Sequence, residues 1–263
     1  MVVHDFFVQG LSSYQLLYGV GCALTIAVYL WLGTRAGVSE KALTAQVLCV
    51  AAMCYVGARL LHLVQHSIPG GASAAADPAD GTGSFGALLF GAIAFETVRR
   101  IAKMDARSAY DRAAIAVPIM VIVGRLGCFF AGCCFGTTTG LPWAIRYPAV
   151  GPRWQYPAFV SQRSQGLVSA SDPLSLPVHP VQLYLAAWAL ASLLVVLGLQ
   201  RSGALRGKRF FVFLFLHCVG RFAFEFVRGD ETPIWGPFHT EHLYSLVGMS
   251  IFGVLMWRRT AAP

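Results

Sequence analysis

Ala113-Ala114-Ile115-Ala116-Val117-Pro118-Ile119-Met120-Val121-Ile122-Val123-Gly124-Arg125-Leu126-Gly127-Cys128-Phe129-Phe130-Ala131-Gly132-Cys133-Cys134-Phe135 is a run of 23 residues with one charge, Arg125. About 20 apolar residues in a helix cross the hydrocarbon core of a bilayer, so the run reads as a membrane helix. Six more runs read the same way: residues 14–33, 43–64, 84–98, 181–199, 210–227 and 242–257. The expectation is an all-α membrane protein with about seven transmembrane helices. Composition agrees. Of 263 residues, 56% are hydrophobic and 12% charged, about half the usual charged share of a soluble domain.

The basic residues choose an orientation. Thirteen of them lie in alternate connections and the C-terminal tail: Arg35, Lys41, Arg99, Arg100, Lys103, Arg107, Arg112, Arg201, Arg206, Lys208, Arg209, Arg258 and Arg259. The opposite side holds only Arg146, Arg153, Arg163 and Arg228. The positive-inside rule places the first set in the cytoplasm, with the N-terminus outside and the C-terminus cytoplasmic. Topology therefore accounts for most of the net charge of +8, and no nucleic-acid partner is implied. Residues 1–9 hold no Lys or Arg, so a basic signal-peptide n-region is missing and insertion is expected to use the first membrane helix. Residues 66–83, rich in Gly, Ala and Pro, read as a loop. Residues 137–178 form the longest non-membrane stretch, with interfacial aromatics such as Trp143 and Tyr147. They read as a small outer head inserted into one domain covering 1–263.

Three basic residues remain, and all lie inside apolar runs: Arg59, Arg125 and Arg221. An arginine at membrane depth costs at least about 2.5–3.5 kcal/mol, so each needs a partner or a polar cavity. Arg59 reads either as snorkelling outward or as cavity-facing. Arg221 has Glu225 at i+4, a spacing that pairs on a helix. Arg125 has no carboxylate within a turn. Forked guanidinium groups match phosphate oxygens, which points to an anionic headgroup drawn into an apolar cavity. The glycines around Arg125 allow close helix packing or a broken helix end.

The seven cysteines contain no CxxC pair and lie mostly in apolar runs, where small buried hydrophobes are the leading reading. On a helix, adjacent Cys133 and Cys134 face different sides, and Cys128 and Cys133 share none. That disfavours a metal or redox site, so neither a metal nor a cofactor is expected. His179-Pro180-Val181-Gln182-Leu183-Tyr184 places Pro at a helix start and polar groups at the membrane surface.

These motifs, in this order, resemble the bacterial phosphatidylglycerol:prolipoprotein diacylglyceryl transferases over nearly the whole chain. Tyr14-Gln15-Leu16-Leu17-Tyr18 is similar to that family's first-helix Tyr motif, and Gly57-Ala58-Arg59-Leu60 to its Gly-Gly-Arg-Leu segment. Gly124-Arg125-Leu126-Gly127 with Gly136 resembles its Gly-Arg-Ile-Gly signature. Pro142-Trp143 and Tyr147-Pro148 resemble the segment that follows. His179 to Tyr184 resembles His-Pro-Ser-Gln-Leu-Tyr, and Arg221 to Arg228 resembles Arg-x-x-x-Glu-Phe-x-Arg. The resemblance implies a multi-pass enzyme of the bacterial inner membrane. It would move the diacylglyceryl group of phosphatidylglycerol onto the lipobox cysteine of a prolipoprotein signal peptide, releasing glycerol phosphate.

The resemblance also implies roles. Arg125 and Arg221 would hold and stabilise the phosphate, while Arg59 and Glu225 organise the cavity by charge. Tyr14, Gln182 and Tyr184 would position the headgroup, with Cys128, Gly136 and His179 in the substrate site. Four positions depart from the family. Gly86 stands where a third-helix His is usual, Cys128 where an Asn is, Cys133 where a Glu is, and His217 where a Tyr is. His217 lies one turn before Arg221 and is the candidate replacement base; a core histidine bonded to a neighbouring helix is the competing reading. A relative acting on another acceptor, or a non-catalytic phospholipid-binding or transport protein, also stays open.

Overall fold

The computed structural model describes residues 1–8, 11–67, 83–151, 155–230 and 235–257, the side chains of 7, 8, 62, 65–67 and 83–85 excepted. Among these, a two-residue hairpin, β1 (Phe7–Val8) and β2 (Leu11–Ser12), precedes eight helices. They are α1 (Ser13–Arg35), α2 (Glu40–Ser67), α3 (Gly83–Ile101), α4 (Ala106–Ala131), α5 (Pro157–Ser164), α6 (Val181–Arg201), α7 (Arg209–Glu225) and α8 (Thr240–Trp257). Each apolar run overlaps a helix, though the runs at 113–135 and 210–227 continue past the ends of α4 and α7, and α5 falls within the stretch read as a head. Among the described residues, four helices are long and apolar enough to cross a membrane: Ser13–Arg35, Glu40–Leu61, Ala106–Ala131 and Val181–Arg201. Residues 68–82 of the loop expected at 66–83 lie outside the described residues.

The fourth run differs from its expected span of 113–135. Helix α4 starts earlier, at Ala106, and stops at Ala131. Gly132 ends it with φ 74° while its N–H still reaches the Cys128 carbonyl at 3.0 Å. Left-handed backbone of this kind closes a helix. Cys134 follows at φ 55°, so the Gly132-Cys133-Cys134 segment is a turn.

The chain divides into two compact units, residues 29–112 and residues 1–28 with 113–263. In the first, α2 and α3 cross at glycines. A Cβ on either Gly57 or Gly86 would collide with the other's carbonyl oxygen, and Gly91 lies against the Cys54 thiol. Without a hydrophobic drive between helices in lipid, such close backbone contact is what holds a pair together. Buried polar groups add to it. Tyr29 donates to Gln46 Oε1 at 2.6 Å, and Gln46 Nε2 donates to the Phe95 carbonyl at 2.9 Å.

In the second unit the same small-residue logic recurs. Helix α1 meets α4 where Gly21 faces Met120 and Val123, and where Gly127 faces the Tyr14 backbone. Ala114, Val196 and Phe213 join α4, α6 and α7. Gly220 of α7 lies under Trp188 of α6, whose indole donates to the Leu216 carbonyl at 2.7 Å. Gly248 of α8 lies against Cys218 of α7. A compact cluster of Val3, Phe129, Phe135, Ile145, Tyr147, Tyr156, Ala158, Phe159, Val168 and Val178 closes one end. The chain start belongs to this cluster. Arg146 donates its N–H to Met1 at 2.8 Å and accepts from Val3 at 2.9 Å. Asp5 accepts from the Ser13 hydroxyl and from its backbone N–H, anchoring the first residue of α1.

Candidate functional site

The second unit gathers most of the expected site residues around the end of α4. Gly136 is the crossing point. Its N–H donates to the His179 carbonyl at 3.0 Å, and it pairs antiparallel with Arg228. Thr137 donates to Val227 at 2.9 Å, His179 to Thr137 at 3.0 Å, and Gly229 to Phe135 at 3.0 Å. Three segments thus run side by side: the strand after the cysteine turn, the strand entering α6 and the strand leaving α7. A Cβ on Gly136 would lie 2.5 Å from His179 Cβ, so only glycine lets them meet.

This crossing assembles a cationic cluster. Arg125 of α4, Arg221 of α7 and Arg228 just beyond α7 lie within electrostatic reach of one another. Two of them are neutralised. Arg221 pairs with Glu225 at 3.1 Å, the i, i+4 pair that the spacing offered. Arg228 grips Asp230 with two bonds of 2.6 and 2.9 Å. Arg125, partly buried, makes no hydrogen bond or ion pair among the described residues. Like charges at this spacing repel, so the arrangement favours an anion at Arg125. His217 lies within electrostatic reach of both Arg125 and Arg221, with its ring 5.9 Å from that of Phe213.

Other expected residues take different places. Gln182, expected at the headgroup, is fully buried. Its amide donates to the Cys133 carbonyl at 2.7 Å and to Tyr147 Oη at 3.2 Å, while Oε1 has no partner among the described residues. Gln182 therefore grips the cysteine turn. Tyr147 in turn donates to the Phe129 carbonyl at 2.8 Å, and burial pushes its phenol well up, so it stays a donor. Tyr184 Oη accepts from the Trp143 indole at 2.8 Å and lies 3.4 Å from His179 Nδ1. Tyr14 lies within electrostatic reach of Cys128, Cys133 and Cys134.

The cysteine geometry corrects the helical reading. Cys128, Cys133 and Cys134 bring their thiols within 4.8 Å of one another. A helix running through residue 135 would keep these thiols apart, but α4 ends at Ala131 and the turn swings both later thiols back toward Cys128.

Two expected positions lie in the unit of residues 29–112. Arg59 is exposed on α2, with its guanidinium 5.6 Å from the Tyr55 ring centroid. Gly86 is the α2–α3 contact itself, so no side chain fits where the resemblance would place a histidine.

Sequence reasoning missed three features. Arg228 counts as a boundary residue by topology, yet it is 6% exposed and part of the cluster; its place in the Arg221-to-Arg228 block was the available signal. Tyr147 reads as interfacial but is fully buried. His239 borders Glu225, its Nδ1 3.8 Å from Glu225 Oε1, and its N–H donates to His242 Nδ1 at 2.9 Å. No sequence spacing pointed to that.

The chain matches known proteins along nearly its whole length. The prolipoprotein diacylglyceryl transferase family model matches residues 3–258. A Clostridium perfringens protein named phosphatidylglycerol–prolipoprotein diacylglyceryl transferase 2 is 22% identical over 264 residues, covering 98% of this chain and 94% of that protein. A Corynebacterium glutamicum protein named phosphatidylglycerol–prolipoprotein diacylglyceryl transferase is 28% identical over 236 residues, covering 84% of this chain and 72% of that protein. An Aeromonas salmonicida protein of the same name is 30% identical over 157 residues, covering 58% and 49%.

Proposed function

The chain belongs to the prolipoprotein diacylglyceryl transferase family, and from that premise we propose that it moves the diacylglyceryl group of phosphatidylglycerol onto the lipobox cysteine of prolipoproteins. Family membership makes it a transferase enzyme and a multi-pass membrane protein. The observation that carries the finer reading is Arg125, a partly buried guanidinium with no hydrogen bond or ion pair among the described residues, beside two others that have one.

In this reading the lipid phosphate takes the position facing Arg125. The lipobox thiol loses its proton and attacks the glyceryl carbon that carries the phosphate oxygen. A C–S bond forms, that C–O bond breaks, and glycerol phosphate leaves with the electron pair. Charge grows on the phosphate as the bond breaks, which is where Arg125 and Arg221 act. Glu225 holds Arg221 in place, and Arg228 adds to the field. His217 takes the thiol proton, because Gly86 leaves no room for an imidazole on α3. Tyr14 and Cys128 line the approach. Gly136, His179, Gln182 and Tyr184 position it through the crossing and the turn, and Arg59 biases the charge of the α2 face.

The same reading treats 1–263 as one domain with a head at 137–178. It has α3, α7 and α8 crossing too, giving seven spans with the N-terminus outside and the C-terminus in the cytoplasm, in a bacterial inner membrane. The distribution of basic residues supports this orientation.

The glycine crossing at Gly86 favours one second reading, a phospholipid-binding or transport protein without turnover. Depletion rescue separates the two. A strain depleted of its own diacylglyceryl transferase receives this chain, and lipoprotein mass is followed. The mass gain of a diacylglyceryl group supports transfer; membrane expression with lipid bound but no mass gain and no glycerol phosphate released supports binding alone.

A further inference from the structure

The transfer reading takes its attacking thiol from the acceptor and asks no chemistry of this chain's own cysteines. Yet Cys128, Cys133 and Cys134 hold their sulfurs within 4.8 Å of one another, each partly buried. We propose that Cys128, Cys133 and Cys134 form a three-thiolate site for a soft d10 metal cation, Zn(II) or Cu(I).

Geometry comes first. Thiolates bound at about 2.3 Å to one metal stand about 3.8–4.0 Å apart. The three sulfurs need to close by less than about 1 Å to reach this. The backbone is already shaped for it. Gly132 and Cys134 adopt positive φ, and this reversal brings thiols from a helix and a turn onto one point. Gln182 fixes the middle of the turn through its 2.7 Å bond to the Cys133 carbonyl, and Tyr147 fixes Gln182. Outer groups of this kind hold metal ligands in orientation.

Charge comes second. Three thiolates carry −3, so the complex is −1 with Zn(II) and −2 with Cu(I). Arg125 lies within electrostatic reach of all three sulfurs, and Arg221 and Arg228 within reach of Cys134. That cationic surround stabilises an anionic complex. Binding replaces three S–H bonds with three S–metal bonds and sends three protons to solvent.

The ligand set comes third. Thiolates select soft cations. Among the described residues no fourth His, Cys, Asp or Glu joins the group. Structural zinc takes four ligands, whereas three protein ligands leave zinc an open position. Three-coordinate Cu(I) needs none.

The test uses the full chain purified in detergent, reduced with a phosphine without oxygen and stripped with chelator. Cd(II) serves as the optical probe, through its thiolate charge-transfer band. Zn(II) is followed by competition with Cd(II), and Cu(I) by competition with a chromophoric chelator. The expected result is one metal per chain and three protons released. Affinity falls at least about 100-fold in each of Cys128→Ser, Cys133→Ser and Cys134→Ser, and is unchanged in Cys49→Ser and Cys218→Ser. Monodisperse elution checks the fold of each variant, and a Cys→Ala set repeats the measurement. Tight Zn(II) with weak Cu(I) assigns zinc, and the reverse assigns copper. Binding of neither metal above the triple serine variant overturns the site.

Discussion

The carbonyl oxygens of Gly57 and Gly86 each fill the space in which the other's Cβ would stand. The contact is reciprocal, so neither position tolerates a side chain unless α2 and α3 move apart. It joins two facts that the sequence presents separately: a Gly-Ala-Arg-Leu segment and an absent third-helix histidine. Once the helices touch backbone to backbone, the histidine has no site.

Restoring the residue that the resemblance would place at 86 should therefore harm the protein. Gly86→Ala is expected to cost about 1–3 kcal/mol through overpacking, and Gly86→His more. Thermal unfolding in detergent reads the loss, and transfer activity should fall with it. A Gly86→His variant that is stable and more active would sink both the packing argument and the assignment of proton transfer to another helix.

Arg125 should behave in the opposite way. With no hydrogen bond or ion pair to lose among the described residues and with Arg221 and Arg228 nearby, Arg125→Ala removes repulsion. Stability is expected to hold or rise slightly. Glycerol phosphate release should fall about 100-fold or more, the scale of losing one donor to a developing anion. Arg125→Lys should recover little, since an ammonium lacks the fork. Full activity in Arg125→Ala removes the phosphate role.

Glu225 has a structural duty that Arg125 lacks. It is 1% exposed and faces Arg221 at 3.1 Å. Glu225→Gln leaves a partly buried cation uncompensated, at a cost of about 3 kcal/mol. Removing both charges, with Arg221→Met added, should recover part of that stability but no activity. A double variant as unstable as the single one would mean that Glu225 acts through His239 and not through Arg221.

The parts of the fold readable from sequence are those set by apolar length and charge placement. The runs at 14–33 and 181–199 fall on α1 and α6 because nothing inside them offers the backbone an alternative. Arg221 and Glu225 were readable as a pair because i, i+4 neighbours share a face. What escaped depends on contacts between distant segments. Residues 128–134 look helical by composition, but Gly132 at φ 74°, fitted against Tyr147 and Tyr156, and Cys134 at φ 55° turn the chain and gather three thiols. Arg228 is separated from Arg125 by more than a hundred residues of sequence, and the Gly136 crossing joins them. Gln182 looked like a headgroup ligand because its motif is polar; its burial depends on the Cys133 carbonyl, which no local pattern marks.

Gln182 should thus report on the turn. Gln182→Met keeps the volume but removes the bonds to Cys133 and Tyr147. The orphan Oε1 also disappears, so the net cost is expected at about 1–2 kcal/mol. Thermal unfolding measures it, and KM for phosphatidylglycerol should change less than stability. Unchanged stability with a large rise in KM would return Gln182 to the headgroup.

His217 provides the sharpest separation of roles. It sits one turn from Arg221 on α7, in reach of both Arg125 and Arg221, and among the described residues it makes no hydrogen bond to a neighbouring helix. His217→Phe keeps ring volume beside Phe213 and removes only the nitrogens. If His217 accepts the thiol proton, kcat falls about 100-fold or more, while phosphatidylglycerol binding and stability stay near the parent values. Raising the pH should then recover part of the rate, because solvent deprotonates a growing share of the acceptor thiol. An unchanged kcat rules His217 out as the base. A lost rate that comes with lost lipid binding makes it a wall of the cavity instead, and moves the search for the proton acceptor to the groups around Arg125.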